Sequence, residues 1–236
     1  MHGECIVGCA SAHRSAGNVL KHSLLSILLC FTGCAQVEGA GQFGKRVLNF
    51  FQGNTPVNAA VQMENQVLPD QRRQGIAKLS DEPFGRREPY TERYRQIAQL
   101  DGDWLVRASA IRALNRSRDS AATPLFIRAL TDESPIVRTE AAKALANIPD
   151  NNAPPALLRL VANPEENRDV RIAAADALKH YRTIEVARGL IGLLNGRDFG
   201  VGWQAHRSLV NLTGTDKRYD ETAWLQYLTS SENPFG

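Results

Sequence analysis

Three stretches, "WLVRASAIRAL" (104–114), "PIVRTEAAKAL" (135–145) and "RDVRIAAADAL" (168–178), align without a gap. Val106, Val137 and Val170 are each followed by an arginine (Arg107, Arg138, Arg171), at Val-to-Val spacings of 31 and 33 residues. Self-similarity at a period of this size marks a repeat array, in which one unit cannot bury its apolar face alone and does so against its neighbours. A further step of 31 lands on Val201 in "FGVGWQAHRSL", where Ala205, Ser208 and Leu209 keep the register and Gly202 replaces the arginine. A step of 35 backward from Val106 lands on Gln71 in "DQRRQGIAKL", with Arg72, Ile76 and Leu79 in matching places. The reading is five units, the first and last degenerate.

Val106, Ala110, Ala113 and Leu114 fall at i, i+4, i+7 and i+8, the stripe of an amphipathic helix and not the alternation of a strand. Small residues recur at corresponding places, Ala110, Ala141 and Ala174, then Ala113, Ala144 and Ala177, so that successive helices approach closely. Each such helix is followed by a second apolar one, "AATPLFIRAL", "APPALLRLV" and "IEVARGLIGLL", separated by the polar breakers "NRSRDS", "NIPDNN" and "ANPEEN". Pro124 and Pro154 or Pro155 sit near helix starts, where a missing N–H costs nothing. The expected fold is therefore all-α, a solenoid of about five helix–turn–helix units.

These units resemble the HEAT family of repeats, in particular the short bacterial type also called the phycobilisome-lyase-like repeat, with its D-x-x-x-V-R-x-x-A-x-x-A-L core. The resemblance covers about residues 70–236. It implies a structural ladder made by Arg72, Arg107, Arg138 and Arg171 with Asp103, Asp132 and Asp169, pairing along the stack; an anion-binding arginine row is the functional alternative. The end "SLVNLTGTDKRYDETAWLQYL" looks like the closing element of bacterial HEAT proteins, with Gly214 ending one helix and Trp224, Leu225 and Leu228 covering the last open face. Upstream, "FGKRVLNFFQ" and "TPVNAAVQMENQVL" suggest two irregular helices, the latter opened by Thr55 and Pro56 as N-cap and first residue. The segment "SDEPFGRREPY" (80–90) reads as a surface loop between two helices, with Arg86 and Arg87 solvated.

A different signal lies in "SLLSILLCFTGCAQ" (23–36). Its uncharged run, flanked by Lys21 and Glu38, is too short for the ~20 apolar residues of a spanning helix and suits a signal peptide. Phe31-Thr32-Gly33-Cys34 resembles the lipobox of bacterial lipoproteins, which implies a lipid on the Cys34 thiol. A buried helix with two incidental cysteines is the structural alternative. The expected organisation is a signal peptide over 1–33, with translation beginning at Val19 from a GTG codon, a tether with N-terminal helices over 34–69, and the HEAT-like repeat domain with its C-terminal cap over 70–236.

All four cysteines lie at or before Cys34, which leaves none downstream for a disulfide, a metal or a nucleophile. Of 28 basic and 25 acidic residues, removal of 1–33 takes Arg14, Lys21 and Glu4, leaving a balance of +2 and no strong field toward nucleic acid. His180 and His206 stand alone, and no phosphate-cradling loop or nucleophile elbow occurs. Catalytic residues, metal and cofactor are therefore expected to be absent, and so is a small-molecule substrate. The favoured reading is a lipid-anchored scaffold of the cell envelope, facing the periplasm, whose long repeat face binds another protein through Arg128, Arg159 and Arg188 on an inner row of second helices. The alternatives are a chromophore-lyase-like enzyme and a HEAT-type nucleic-acid binder using Arg107, Arg112, Arg116 and Arg118.

Overall fold

The computed structural model describes residues 55–230 and Phe235. The expected signal segment, Cys34, the tether and the helix over "FGKRVLNFFQ" lie outside these residues. The chain divides into two units, Met1–Gln52 and Gly53–Gly236, and the described residues belong to the second. Eleven α-helices and no strand occur among the described residues: α1 (Pro56–Met63), α2 (Pro69–Asp81), α3 (Tyr90–Leu100), α4 (Trp104–Ser117), α5 (Thr123–Ala129), α6 (Pro135–Asn147), α7 (Pro154–Ala162), α8 (Arg168–Ala177), α9 (Ile184–Ile191), α10 (Phe199–Thr213) and α11 (Glu221–Thr229). None is long and apolar enough to cross a membrane.

The even-numbered helices α2 to α10 carry the repeated Val-Arg register and stack in one continuous row, α2 on α4, α4 on α6, α6 on α8 and α8 on α10. The row forms because its contact positions are small or apolar and are removed from water: Val106, Val137 and Val170, Ala110, Ala141 and Ala174, and Leu114, Leu145 and Leu178 are all fully buried. Each buried leucine or valine contributes about 1.5–3 kcal/mol, and the alanines between them let the helices approach closely.

The odd-numbered helices form a second row. Each packs most extensively on the long helix that follows it, α3 on α4, α5 on α6, α7 on α8 and α9 on α10. The structural pair is thus a short helix and then the Val-Arg helix, and its first member is α1 with α2. Successive short helices pack on one another most clearly at α7–α9 and α9–α11, whereas the long row is tight throughout. The short row is the more open side, which corrects the expectation that it forms the inner row.

Helix starts follow local chemistry. Pro56, Pro69, Pro135 and Pro154 open their helices. Thr55, Asp103, Asn167, Asp198 and Asp220 each accept a hydrogen bond from a first-turn N–H. Gly214, at φ 71°, ends α10 in the left-handed region. At the closing end α11 packs on α9 and buries Trp224, Tyr227 and Leu228, with Trp224 Nε1 donating to the Arg218 carbonyl at 2.9 Å. Leu225 faces solvent instead, and Tyr227 takes the covering place expected of it.

The 80–90 segment is more than a loop. A 3-10 turn at Phe84–Arg86 folds back on α2, and Arg86 donates to the carbonyls of Ser80 (2.8 Å) and Asp81 (2.9 Å). Arg86 thus caps the last carbonyls of α2, where the helix dipole favours a cation.

Gly75 occupies the register place of Ala110, Ala141 and Ala174, and here α1 comes closer than any Cβ permits. A methyl group on Gly75 would stand 2.4 Å from the Met63 backbone nitrogen and 2.5 Å from the Ala59 carbonyl oxygen. Gly75→Ala should therefore push α1 off α2 and cost about 1–3 kcal/mol despite the better helix propensity of alanine. Thermal unfolding followed by circular dichroism should show a lower Tm; an unchanged or raised Tm would mean that α1 is not held in this contact.

Candidate functional site

Along one edge of the stack runs a chain of arginines and carboxylates that joins four pairs. Arg72 donates Nε and Nη2 to the Asp101 carboxylate at 2.8 and 2.9 Å, and Arg107 donates the same two groups to Asp132 at 2.9 and 2.8 Å. Arg138 donates Nη2 to Glu166 at 2.6 Å. The Nη1 of each goes backward to a carbonyl: Arg72 to Asn65 (2.9 Å), Arg107 to Asp101 (3.0 Å) and Arg138 to Asp132 (2.7 Å). Asp101 and Asp132 therefore each serve two arginines, one through the side chain and one through the backbone, and the line is continuous from Arg72 to Glu166.

The six side chains are only 8–17% exposed. In such a setting bidentate guanidinium–carboxylate pairing is worth more than the 0–1 kcal/mol of a solvated pair, and removing one member strands a charge. The carboxylates also bind the turn before each long helix, since Asp101 accepts from the Asp103 N–H (2.9 Å), Asp132 from Ser134 (2.9 Å) and Glu166 from Asn167 (2.7 Å). Hydrogen bonding by Asp132 lifts the Arg107 guanidinium further above its usual range.

The membership differs from the expected ladder. Arg72, Arg107, Arg138 and Asp132 are in it. Asp103 is not: it caps α4, accepting from Leu105 (2.9 Å) and Val106 (3.1 Å). Asp169 lies exposed in the first turn of α8 and joins no ion pair among the described residues. Asp101 and Glu166 take their places, and the Val-Arg core does not display them because they lie in the turn before it. Asp101 and Asp132 both stand three residues before the first residue of their long helix, a register visible once the helix starts are known. Glu166 stands two residues before Arg168; it meets Arg138 with one bond only, leaving the buried Arg138 Nε without a partner.

Arg171 ends the ladder. Its Nε and Nη2 both go to the Val161 carbonyl, at 3.2 Å each, and among the described residues no carboxylate of the next unit pairs with it.

Where short helices splay, shallow clefts open beside the ladder. One of about 370 Å3 lies between Gln99, Leu100, Arg128 and Asp132, and one of about 410 Å3 between Asp132, Arg138, Arg159 and Glu166. Arg128 and Arg159 are exposed at corresponding places in α5 and α7, and Arg188 is exposed in α9. Arg128 donates to Gln99 at 2.8 Å. The basic residues weighed for nucleic acid are all engaged: Arg107 as above, Arg112 with Glu140 (3.1 Å), Arg116 with Asp81, and Arg118 with the Asn147 carbonyl (3.0 Å). His180 bonds the Ala146 carbonyl (2.7 Å), and His206 bonds Asp216 (2.8 Å) under a stacked Tyr219. No cluster suited to a metal ion occurs among the described residues.

Residues 91–179 match the family model for HEAT repeats. No curated protein matches the chain. Among solved structures, the Escherichia coli protein YibA is 20% identical with a TM-score of 0.58, over 93% of this chain and 83% of that one. An engineered protein is also 20% identical, with a TM-score of 0.50 over 73% of this chain and 90% of that one. At this identity the likeness is one of fold: an all-α solenoid of HEAT-like repeats.

Two outcomes follow from the ladder. Arg107→Ala strands Asp132 in a nearly dry place and should lower stability by about 2–4 kcal/mol, read as a reduced Tm; a variant melting with wild type would show the chain of pairs to be energetically idle. The second concerns acid. Burial pushes the Glu140 carboxyl up, but the hydrogen bond and charge of Arg112, with Lys143 beside it, outweigh burial and hold it below the usual glutamate range. A depressed folded-state value means that its stabilisation is present above the ordinary glutamate value and is lost as pH falls through the depressed one. Glu140→Gln should therefore flatten the fall in Tm between about pH 7 and about pH 3. An unaltered slope would remove Glu140 from the acid response.

Proposed function

We propose that the protein is a protein-binding scaffold of the cell envelope, anchored by a lipid on Cys34, whose splayed short-helix side receives the partner. The observation that carries this reading is the recurrence of exposed Arg128, Arg159 and Arg188 at spacings of 31 and 29 residues, on a row that opens clefts beside a rigid ladder. Repeated side chains on a stiff stack present a periodic surface that an extended partner segment can follow over several units. Each of these clefts is shallow and open, with apolar surface beside its charged rim, which suits side chains of a macromolecule better than an engulfed metabolite. The same reading disfavours nucleic acid, because Arg107, Arg112, Arg116 and Arg118 already hold carboxylates or carbonyls. Nothing in the geometry favours a lyase: no acid–base pair or nucleophile converges on a pocket of the described residues.

The test reverses Arg128, Arg159 and Arg188 to Glu together. Because all three are exposed, the variant should fold and localise as wild type while losing co-purified envelope proteins; unchanged partners would exclude this face. Lipidation is tested separately. Cells fed a labelled fatty acid should label the wild-type chain and not Cys34→Ala, which should leave the membrane fraction; label retained on Cys34→Ala would refute the anchor.

A further inference from the structure

The place where the ladder stops is also a place where the edge opens. A cleft of about 900 Å3 separates the start of α8 from the start of α10 and is lined by Arg168, Arg171, Arg197 and Phe199 among others. By register, the acid that should meet Arg171 belongs three residues before α10, as Asp101 stands before α4 and Asp132 before α6. That position is Gly196, and Arg197 follows it. The acid is replaced by no side chain at all, and a cation is added.

The carboxylates that do line this cleft are spoken for or solvated. Glu166 is taken by Arg138 at 2.6 Å, and Asp198 accepts from Arg168 at 3.1 Å while capping α10 through Gly200 at 2.9 Å. Glu165 is exposed. Arg171 is left half-buried with a neutral carbonyl as its acceptor, and Arg197 makes no side-chain bond among the described residues. Phe199 stands 75% exposed at the rim, with Trp203 one turn further along the same helix at 42%.

We propose that this fourth step binds a carboxylate of a partner protein: an acidic side chain followed by an apolar one, the carboxylate completing the ladder between Arg171 and Arg197 and the apolar group lying on Phe199. The preference for a carboxylate over a phosphate backbone follows from the cleft's own three acids, which repel a dense polyanion while leaving room for one charge. The proposal rests on the scaffold reading and names the chemistry of what it would hold.

Gly196→Asp supplies the missing acid from within. A Cβ at Gly196 finds the Leu193 carbonyl oxygen at 3.4 Å as its nearest neighbour, so the substitution fits. The test uses the purified full chain in detergent and two labelled peptides, Ser-Gly-Glu-Leu-Glu-Phe-Gly-Ser and its Gln-for-Glu counterpart, read by fluorescence anisotropy. Wild type should prefer the Glu peptide at least about tenfold, a difference of about 1.4 kcal/mol. Gly196→Asp should abolish that preference and raise Tm by about 2–4 °C, and Arg197→Glu should abolish the preference alone. Equal affinity of wild type for both peptides, or a Gly196→Asp chain that keeps the preference, overturns the proposal, as does displacement of the Glu peptide by a single-stranded oligonucleotide at equal concentration. Envelope-protein capture by the same preparations separates the two readings. Capture by wild type without Glu preference overturns the fourth-step site alone, whereas Glu preference with no capture supports the site and overturns the scaffold.

Discussion

Close approach of the long helices is the constraint on which the rest of this structure depends. An amphipathic pair of about 30 residues has too little surface to hide its own apolar stripe, so each pair is stable only against the next. Stacking at short distance requires that the residues between the helices be small, and Ala110, Ala141 and Ala174 are fully buried for that reason. Larger residues there would hold the long row apart and cost the dispersion contacts that make a dry interface worthwhile. The short row has no such requirement, since its helices pack mainly on the long ones, and it can splay. Clefts on one side are the geometric consequence of tightness on the other.

Tight stacking of apolar faces does not by itself set register, because alanine stripes slide over one another at little cost. The arginine chain supplies what the stripes lack. A guanidinium that must meet a carboxylate through two parallel bonds, and a backbone carbonyl through a third, fixes the next pair in translation and rotation together. Its position at the turn before each long helix lets the carboxylate bind the N–H of the helix-capping residue as well, so the same side chain joins two units and fixes the turn that leads into a helix. Buried ion pairs often add little net stability over apolar replacements, but that does not weaken this role, since fixing register is their better attested use.

How much of this was legible depends on whether the information was local. Helix starts at Thr55, Pro124 and Pro154, the stop at Gly214 and the stack itself follow from residues within a few positions of one another or from the period, and the sequence displays both. The carboxylate row is different. Asp103 and Asp101 are two residues apart, equally acidic, and only the turn geometry decides that one caps its own helix while the other reaches Arg72. Likewise Arg86 reads as a solvated charge until the chain is seen to fold back on α2. The pairing of each short helix with the following long one was hidden for a further reason: a periodic sequence states the period but not where the unit begins.

In a periodic structure, departures from the period carry the information that the repeats themselves cannot. Two departures here have opposite physical sense. Gly75 replaces an alanine where the helices must come closer than the rest of the stack, so it removes a methyl group to admit backbone, and the first pair is tightened. Gly196 replaces an acid where the stack would otherwise be stapled, so it removes a charge and leaves Arg171 without its counter-ion. The first loss is compensated within the fold, because atoms of α1 occupy the space. The second is not, because no described residue occupies the place of the missing carboxylate, and the cleft beside it is about twice as large as those at the intact steps. A cation kept half-buried without a counter-charge costs desolvation that a fold selected only for stability would have removed by an acid at one position. That asymmetry distinguishes the fourth step from the intact ones, and it is the physical ground for proposing a carboxylate contact there beside the contacts proposed along the short-helix side.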